Sequence, residues 1–382
     1  MQVRLIEDLG TIPATEWDAL SGARDNPFLS HAFLAGLEAH GCVGPHWGWT
    51  PQHLGLYQHE KLIAAVPLYR KTNSYGELVF DHAWADAYRR AGLDYYPKLV
   101  AAVPYSPVAG PRLLLADGVA REEAAQHLVG AARELTEAQG LSSLHWLFPD
   151  AIDLEQLEQQ GMMPRLATQF HWYNHDYHDF DHYLAQFTAS KRKKIKRERR
   201  RVSEQGIEIQ VLHGDQISAE QWQIFHQFYR DTFDRRGGYP TLNEGFFRHL
   251  GEQLAERVVL VFARHQGRYV AGALSLRSQD TLYGRHWGCS DDYHSLHFEL
   301  CYYQGLDYCI RHGLKRFEPG AQGEHKVARG FEPTAVWSAH WLADPGFSKA
   351  VKDYLAQEQR MMQRYMQELA EHLPFKEDVK DA

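Results

Sequence analysis

The chain says one thing twice. Residues 161–172 read GMMPRLATQFHW and residues 330–341 read GFEPTAVWSAHW, with Gly, Pro, His and Trp in matching places. Upstream, QGLSSLHWLFP (139–149) answers HGLKRFEPG (312–320), and KLIAAVPLYRK (61–71) answers RYVAGALSLRS (268–278). Three pairs in one order mark a duplicated domain, because the period is far too long for a solenoid whose repeats touch only their neighbours. At 382 residues, each copy is long enough to bury a core of its own.

Each half reads through the same elements. In the second, 258–278 is a hairpin turning at His265-Gln266-Gly267, and 281–288 continues an antiparallel meander. Leu296, Leu300, Tyr303, Leu306 and Ile310 then fall at helical spacing, with Gly313 as the C-cap. A strand, a short helical stretch and a last strand complete the unit, and the first half matches this outline. The predicted class is therefore α+β, with mixed sheets. From Ala65 to His171 is 106 positions, against 68 from Gly272 to His340, so the first copy carries about 38 extra residues. They are placed at 75–112, a stretch dense in Tyr, Trp and Pro. The expected domains are 1–180, 181–345 opening with a basic helix at 187–204, and a C-terminal amphipathic helix in 346–382, started by Asp344-Pro345.

Charge is concentrated. The chain carries −8 overall, yet 191–201 (KRKKIKRERRR) holds nine basic residues and one acid, which leaves −16 elsewhere. Wound into a helix, this segment gathers Leu184, Phe187, Ile195 and Val202 into a narrow apolar stripe and the cations cover the rest. Such a helix offers Lys191, Arg192, Lys193, Lys194, Arg197 and Arg200 to a polyanion: tRNA, a lipid-linked diphosphate or anionic lipid. The four cysteines show no framework spacing and no apolar run is long enough to span a bilayer, so a reduced, cytoplasmic setting is expected. The dense cluster His171, His175, His178 and His182 straddles a strand end and a loop. It is not held on one rigid face, and no metal is expected.

The meander, the helix ending in HG and the strand–helix–strand finish resemble the GNAT acyltransferase fold. Two such domains with a basic segment between them resemble the FemAB-like family, whose best-known members add amino acids from aminoacyl-tRNA to the peptidoglycan precursor. The likeness is carried by ASKRKKIKRERRRVSEQGIEI (189–209), by RYVAGALSL with its downstream helix, and by the FEPG turn at 317–320. More narrowly, HAFLAGLEAHGCVGPHWGW, YGELVFDHAWADAY, YYPKL and FEPGAQGEHKVARGF are similar to a bacterial branch described as peptidoglycan biosynthesis or recognition. The resemblance implies two tandem GNAT-like domains with a basic interdomain helix and a long C-terminal helix. It also implies an aminoacyl- or acyltransferase that forms an amide on an amine of a small-molecule, peptide-like or cell-wall-precursor-like acceptor. No tightly bound cofactor is implied, with aminoacyl-tRNA or acyl-CoA as co-substrate and tRNA as a partner.

One feature departs from the acetyl-CoA enzymes of that superfamily. They bind pyrophosphate on backbone N–H groups of a glycine-rich turn at the central helix, whereas GRHWGCSDDYHSLHF (284–298) puts Asp291 and Asp292 there. These two either cap the helix or receive an amine. Amide formation needs a deprotonated amine and a polarised carbonyl held together. The turn after FEPG supplies candidates within twelve residues: His325, Lys326 and Glu318 for catalysis beside Asp292, with Gln322 and Arg329 for binding. In the aromatic insertion, Asp81, Trp84, Tyr88, Tyr95, Tyr96 and Lys98 are candidates for a substrate cleft, or equally for a second small core. A binding module that recognises a peptidoglycan-like or anionic ligand is the alternative function. A structural RNA-binding protein ranks last, because the stacking-aromatic pattern of an RNA module is missing.

Overall fold

The computed structural model describes residues 1–321 and 323–376. The chain forms two compact units, Met1–Thr168 with Ala335–Arg364, and Gln169–Thr334 with Tyr365 onward. The expected borders at 180 and 345 are not where the units divide, and the reason lies in the final strand of each sequence copy. In the strand Glu332–Leu342, residues Ser338 to Leu342 pair antiparallel with Leu147 to Ser143 of the first unit. In the strand Met163–Tyr173, Trp172 and Tyr173 pair with Phe317 and Arg316 of the second. Each copy's last strand thus completes the other copy's sheet.

In the first unit, Gln2–Ile6, His53–Gln58, Lys61–Val66 and Leu114–Leu115 form a small sheet. Leu68–Lys71, Lys98–Ala101 and Ser143–Leu147 run on into the exchanged strand. Helix Arg121–Ala138 lays Ala124, Ala125, Leu128, Val129 and Ala132 onto this core, each fully or almost fully buried. Small residues on that face let the helix approach the sheet, and each buried Leu or Val contributes about 1.5–3 kcal/mol. The aromatic stretch 75–112 is not one inserted loop. It contains a helix, His82–Arg90, and the strand Lys98–Ala101, which is antiparallel to Leu68–Lys71 and parallel to Ser143–Leu147. That strand is the meander's third, so the extra length falls before and after it.

In the second unit the hairpin forms as read, Val258–His265 with Arg268–Arg277. Gln266 and Gly267 take positive φ of 50° and 77°, the mirror-image turn that matches strand twist. Thr281–Cys289 follows, then Arg316–Glu318. Helix Ala219–Arg236 opens with a reciprocal Ser218–Gln221 capping box and closes on Gly237 at φ 67°. It packs so closely that a Cβ on Gly288 would lie 2.0 Å from the Phe228 carbonyl oxygen. The basic helix spans Ala189–Glu204 rather than 187–204. Leu184 belongs to the preceding helix Phe180–Ala185 and Phe187 to the turn between, and all four expected stripe residues are buried. The C-terminal helix is Pro345–Glu371, and Asp344 caps it by accepting from the Phe347 N–H at 2.8 Å. Among the described residues, no helix is long and apolar enough to cross a membrane.

Candidate active site

In the second unit, Thr281–Cys289 is hydrogen-bonded in parallel to Arg316–Glu318 only at Thr281, Leu282 and Tyr283. Pro319 comes next and has no N–H for the ladder, and Gly320, at φ 98°, carries the chain away. Beyond Tyr283 the longer strand keeps its antiparallel neighbour but loses its parallel one. A cleft of about 280 Å³ lies beside this strand end, and Gly284 and Pro319, whose backbones stay in contact, both belong to its lining. The antiparallel edge is irregular too: Leu274 faces His286 and Ser275 faces Gly284, so Arg285 is the extra residue of a β-bulge. A bulge re-aims side chains, and Gly284, Arg285, His286 and Trp287 all line the cleft. Helix Ala219–Arg236 adds Tyr229, Phe233 and Arg236, and the helix from Leu296 adds His297, Cys301 and Tyr302. That helix takes a π turn over Glu299–Tyr303, an inserted residue of the kind found at functional sites.

Two neutral groups meet at the cleft. Tyr302 Oη lies 2.8 Å from His325 Nε2. Burial holds the Tyr302 hydroxyl well above its ordinary range. Burial, with Arg329 and Lys326 nearby, lowers the His325 imidazole. One hydrogen bond joins the neutral phenol and the neutral ring, its direction set by the imidazole tautomer, and His325 itself is exposed to solvent. His297 packs edge-on against Trp287 at 5.2 Å, and burial, followed by the field of His325, brings it down to about 4. Lys326 is buried, donates from Nζ to the Gly320 carbonyl at 2.7 Å, and is lowered to about 7 by burial. It holds the turn that opens the cleft. Glu318, buried at the strand end, lies 3.0 Å from Arg316 Nε. Asp291 and Asp292 are exposed and do not line the cleft. Nor do they cap the helix: its N-cap is Ser295, at φ 67°, whose hydroxyl makes no capping hydrogen bond and meets His294 Nδ1 at 2.7 Å. Gln322 lies outside the described residues.

Arg329 is committed inside the unit. Its Nη2 donates to Glu198 at 3.0 and 3.2 Å, its Nε to the Tyr303 hydroxyl at 3.0 Å and its Nη1 to the His325 carbonyl at 2.8 Å, with the guanidinium 3.5 Å from the Phe298 ring centre. Glu198 also accepts from Tyr303 Oη. Glu198, the one acid within 191–201, thus fastens the basic helix to the turn bearing His325. On the same helix, Arg199 pairs with Glu299 at 3.1 Å and Arg200 with Glu204 at 3.2 Å. Lys191, Arg192, Lys193, Lys194 and Arg197 carry no ion pair among the described residues. All but Arg197 sit in the helix's N-terminal half, and Lys191 and Arg192 lie in its first turn, where the macrodipole disfavours cations.

The insertion candidates come together in the first unit, as a buried network. Lys98, wholly buried, binds Glu77 at 2.8 Å and also Asp81. Asp81 accepts from Tyr95 Oη at 2.6 Å and Ser74 Oγ at 2.7 Å, and Tyr96 Oη meets Ser74 at 2.6 Å. Burial raises Asp81, but the Lys98 ammonium outweighs it and holds the carboxyl below its usual range; Glu77 goes up to about 6 by burial. Lys71, the strand partner of Lys98, falls to about 7 by burial. The network continues to His145, whose Nδ1 lies 2.7 Å from His340 Nδ1; Ser143 and Ser338 bond the outer nitrogens at 2.7 and 2.8 Å. Burial drives both imidazoles well below their ordinary range, so one neutral ring donates to the other. Trp84 packs edge-on to His340 at 4.8 Å and Tyr88 stacks on Phe347 at 4.1 Å, as core.

Elsewhere, His178 and His182 stack at 4.1 Å, while His171 is buried 3.2 Å from Gln169. Among the described residues no three His, Cys, Asp or Glu could hold a metal ion. Sequence reading missed Tyr302, Arg285 and His297. The one local signal was Pro319 in the FEPG turn, which ends the ladder.

A duplicated α+β chain with mixed sheets, a basic helix and a long C-terminal helix has a tandem GNAT-like fold. The chain belongs to the FemAB-like family, described as peptidoglycan biosynthesis/recognition, whose model matches residues 8–377. Its fold is similar to that of FemX, at 11% identity and TM-score 0.53 over 92% of this chain and 100% of that one. It is also similar to L-PGS from Bacillus licheniformis, at 12% identity and TM-score 0.50 over 84% and 95%. A conserved protein of unknown function from Bacteroides thetaiotaomicron is similar at 9% identity and TM-score 0.51 over 89% and 99%. No curated protein sequence matches.

Proposed function

We propose that this chain is an acyltransferase that forms an amide, and that the second-unit cleft is where the acyl group transfers. The acceptor is an amine of a peptide-like or cell-wall-precursor-like molecule, and the donor an aminoacyl-tRNA or an acyl thioester. Family membership supports the setting, and one observation carries the site: Tyr302 lines the cleft and is hydrogen-bonded to a solvent-exposed His325. The amine nitrogen attacks the carbonyl carbon, a C–N bond forms, and the C–O or C–S bond to the carrier breaks. The proton lost by the amine passes to Tyr302 Oη as the phenol proton moves to His325 Nε2; the departing oxygen or sulfur takes up a proton. Lys326 keeps the Pro319–Gly320 turn open, and Glu318 and Arg329 anchor the turn's two ends. The free cations of the basic helix hold the donor's phosphates.

The test is amide formation followed by mass spectrometry, with charged tRNA or acyl-CoA as donor and a muramyl peptide bearing a free amine as acceptor. Tyr302→Phe and His325→Gln are expected to lower the rate about 10²–10⁴-fold with the fold intact. Wild-type rates in both variants sink the assignment.

A further inference from the structure

Tyr302 and His325 stand on separate elements, and neighbouring side chains of the basic helix Ala189–Glu204 tie it to both. On the tyrosine side, Arg199 meets the buried Glu299 with Nη2 at 3.1 Å and Nε at 3.2 Å. Glu299 opens the π turn that carries Tyr302, and Gln304, just past that turn, donates to the same carboxylate at 2.7 Å. On the histidine side, Glu198 accepts from Arg329 Nη2, and Arg329 Nη1 donates to the His325 carbonyl. Tyr303, next to Tyr302, also donates to Glu198, so one carboxylate joins the two sides. The apolar stripe adds to both ties. Ile195 packs in the cluster of Tyr302, Tyr303 and Val327, and Val202 in that of Leu296 and Leu300.

The outward face of the same helix works against its order. Lys193, Lys194 and Arg197 are exposed there, and Lys193 and Arg197, four apart, are surface neighbours whose like charges destabilise a helix. A ligand that binds the ordered helix and not the frayed one stabilises it by mass action. Resting on the reading of the cleft as the acyl site, we propose that Glu198 and Arg199 are positioning residues for the Tyr302–His325 pair, and that RNA phosphates on the outward face steady the pair through them. The helix's large apolar residues, Ile195 and Val202, are both turned into the protein, which leaves none to enter a lipid surface and favours RNA as the polyanion. Binding energy from the donor's carrier is thereby spent on assembling the site, and small acyl esters without a carrier are served less well.

The experiment uses the full chain and a short blunt-ended RNA duplex, which has no single-stranded end to enter the cleft. Hydrogen exchange is read by mass spectrometry over 189–204, 299–303 and 324–329, and the His325 ring by nitrogen NMR, its signals assigned with His325→Gln. With RNA about tenfold above its Kd, exchange is expected to slow by up to about tenfold in all three segments, and the His325 signals to shift. Arg199→Gln, at a half-buried position that the fold tolerates best, is expected to keep the RNA-induced slowing in the helix and lose it over 299–303. Arg199→Lys restores part of it, and Glu198→Gln loses it over 324–329. A merely structural role for these residues would change exchange equally with and without RNA. Slowing confined to 189–204 in the wild type, slowing by anionic lipid vesicles but not by RNA, or no binding of the duplex overturns the proposal. Neither readout needs turnover, so such a failure is distinct from wild-type transfer rates in Tyr302→Phe and His325→Gln, which refute the cleft reading itself.

Discussion

Arg329→Met is the perturbation with the best-defined magnitude. In the wild type, the buried Glu198 carboxylate accepts twice from Arg329 Nη2 and once from Tyr303 Oη. Glu198 and Arg329 are 7% and 4% exposed, so solvent screens them little. Removing the guanidinium strands the carboxylate beside one phenol, and breaking a buried ion pair in this way costs about 3–5 kcal/mol. It also frees the His325 carbonyl and the face of Phe298. The double variant Glu198→Leu, Arg329→Met strands no charge and is expected to be more stable than Arg329→Met alone, with a coupling of about 2 kcal/mol or more. The assay is urea unfolding of wild type, both single variants and the double, followed by tryptophan fluorescence. A loss under about 1 kcal/mol for Arg329→Met, or additivity within about 0.5 kcal/mol, refutes the idea that this pair fastens the basic helix to the turn.

Three further outcomes are expected. His145 and His340 have folded pKa values far below the unfolded value of about 6.5, so the unfolded chain binds more protons in acid and stability falls as pH drops below about 6.5. At about 1.4 kcal/mol per pH unit, each costs about 2 kcal/mol by pH 5; equal denaturant midpoints at pH 7 and pH 5 contradict this. Gly288→Ala puts a Cβ 2.0 Å from a backbone oxygen and is expected to be severely destabilising or insoluble. By contrast Gly130→Ala, inside helix Arg121–Ala138 with nothing within 4 Å, stabilises by about 1 kcal/mol; thermal melts of the two variants must move in opposite directions. Replacing Lys191, Arg192, Lys193, Lys194 and Arg197 by Gln flattens the salt dependence of RNA binding by up to about 3.5 units of log–log slope, measured by filter binding. An unchanged slope removes the helix from the interface.

What could be read from the sequence was local or periodic. The Gln266–Gly267 turn, the Asp344 cap, the stripe at Ile195 and Val202 and the duplication itself rest on residues near each other in the chain, where propensity and spacing act directly. What could not be read was pairing at a distance. The repeated His-Trp motif gave no hint that His340 meets His145 of the other copy, because the exchange of final strands is decided by hydrogen bonding 195 positions apart. The aromatic insertion looked equally like a cleft and a core, since Trp and Tyr suit both; burial of Lys98, Asp81 and Tyr95 makes it a packed polar network. In the second unit the FEPG turn pointed to the right neighbourhood through Pro319. The bulge at Arg285 and the π turn at Tyr302 are register effects, invisible until the strands and helix are laid side by side.

The most direct test of the account is to locate a donor mimic crystallographically in the full chain. The probes are a stable 3′-aminoacylamino-adenosine, which imitates the end of a charged tRNA, and an S-alkyl coenzyme A carrying an acyl-like group. The account predicts the acyl portion in the cleft lined by Arg285, His286, Trp287 and Tyr302, with its carbonyl within hydrogen-bonding reach of Tyr302. Density for either acyl group in the first unit, or anywhere that leaves the second-unit cleft empty, contradicts it.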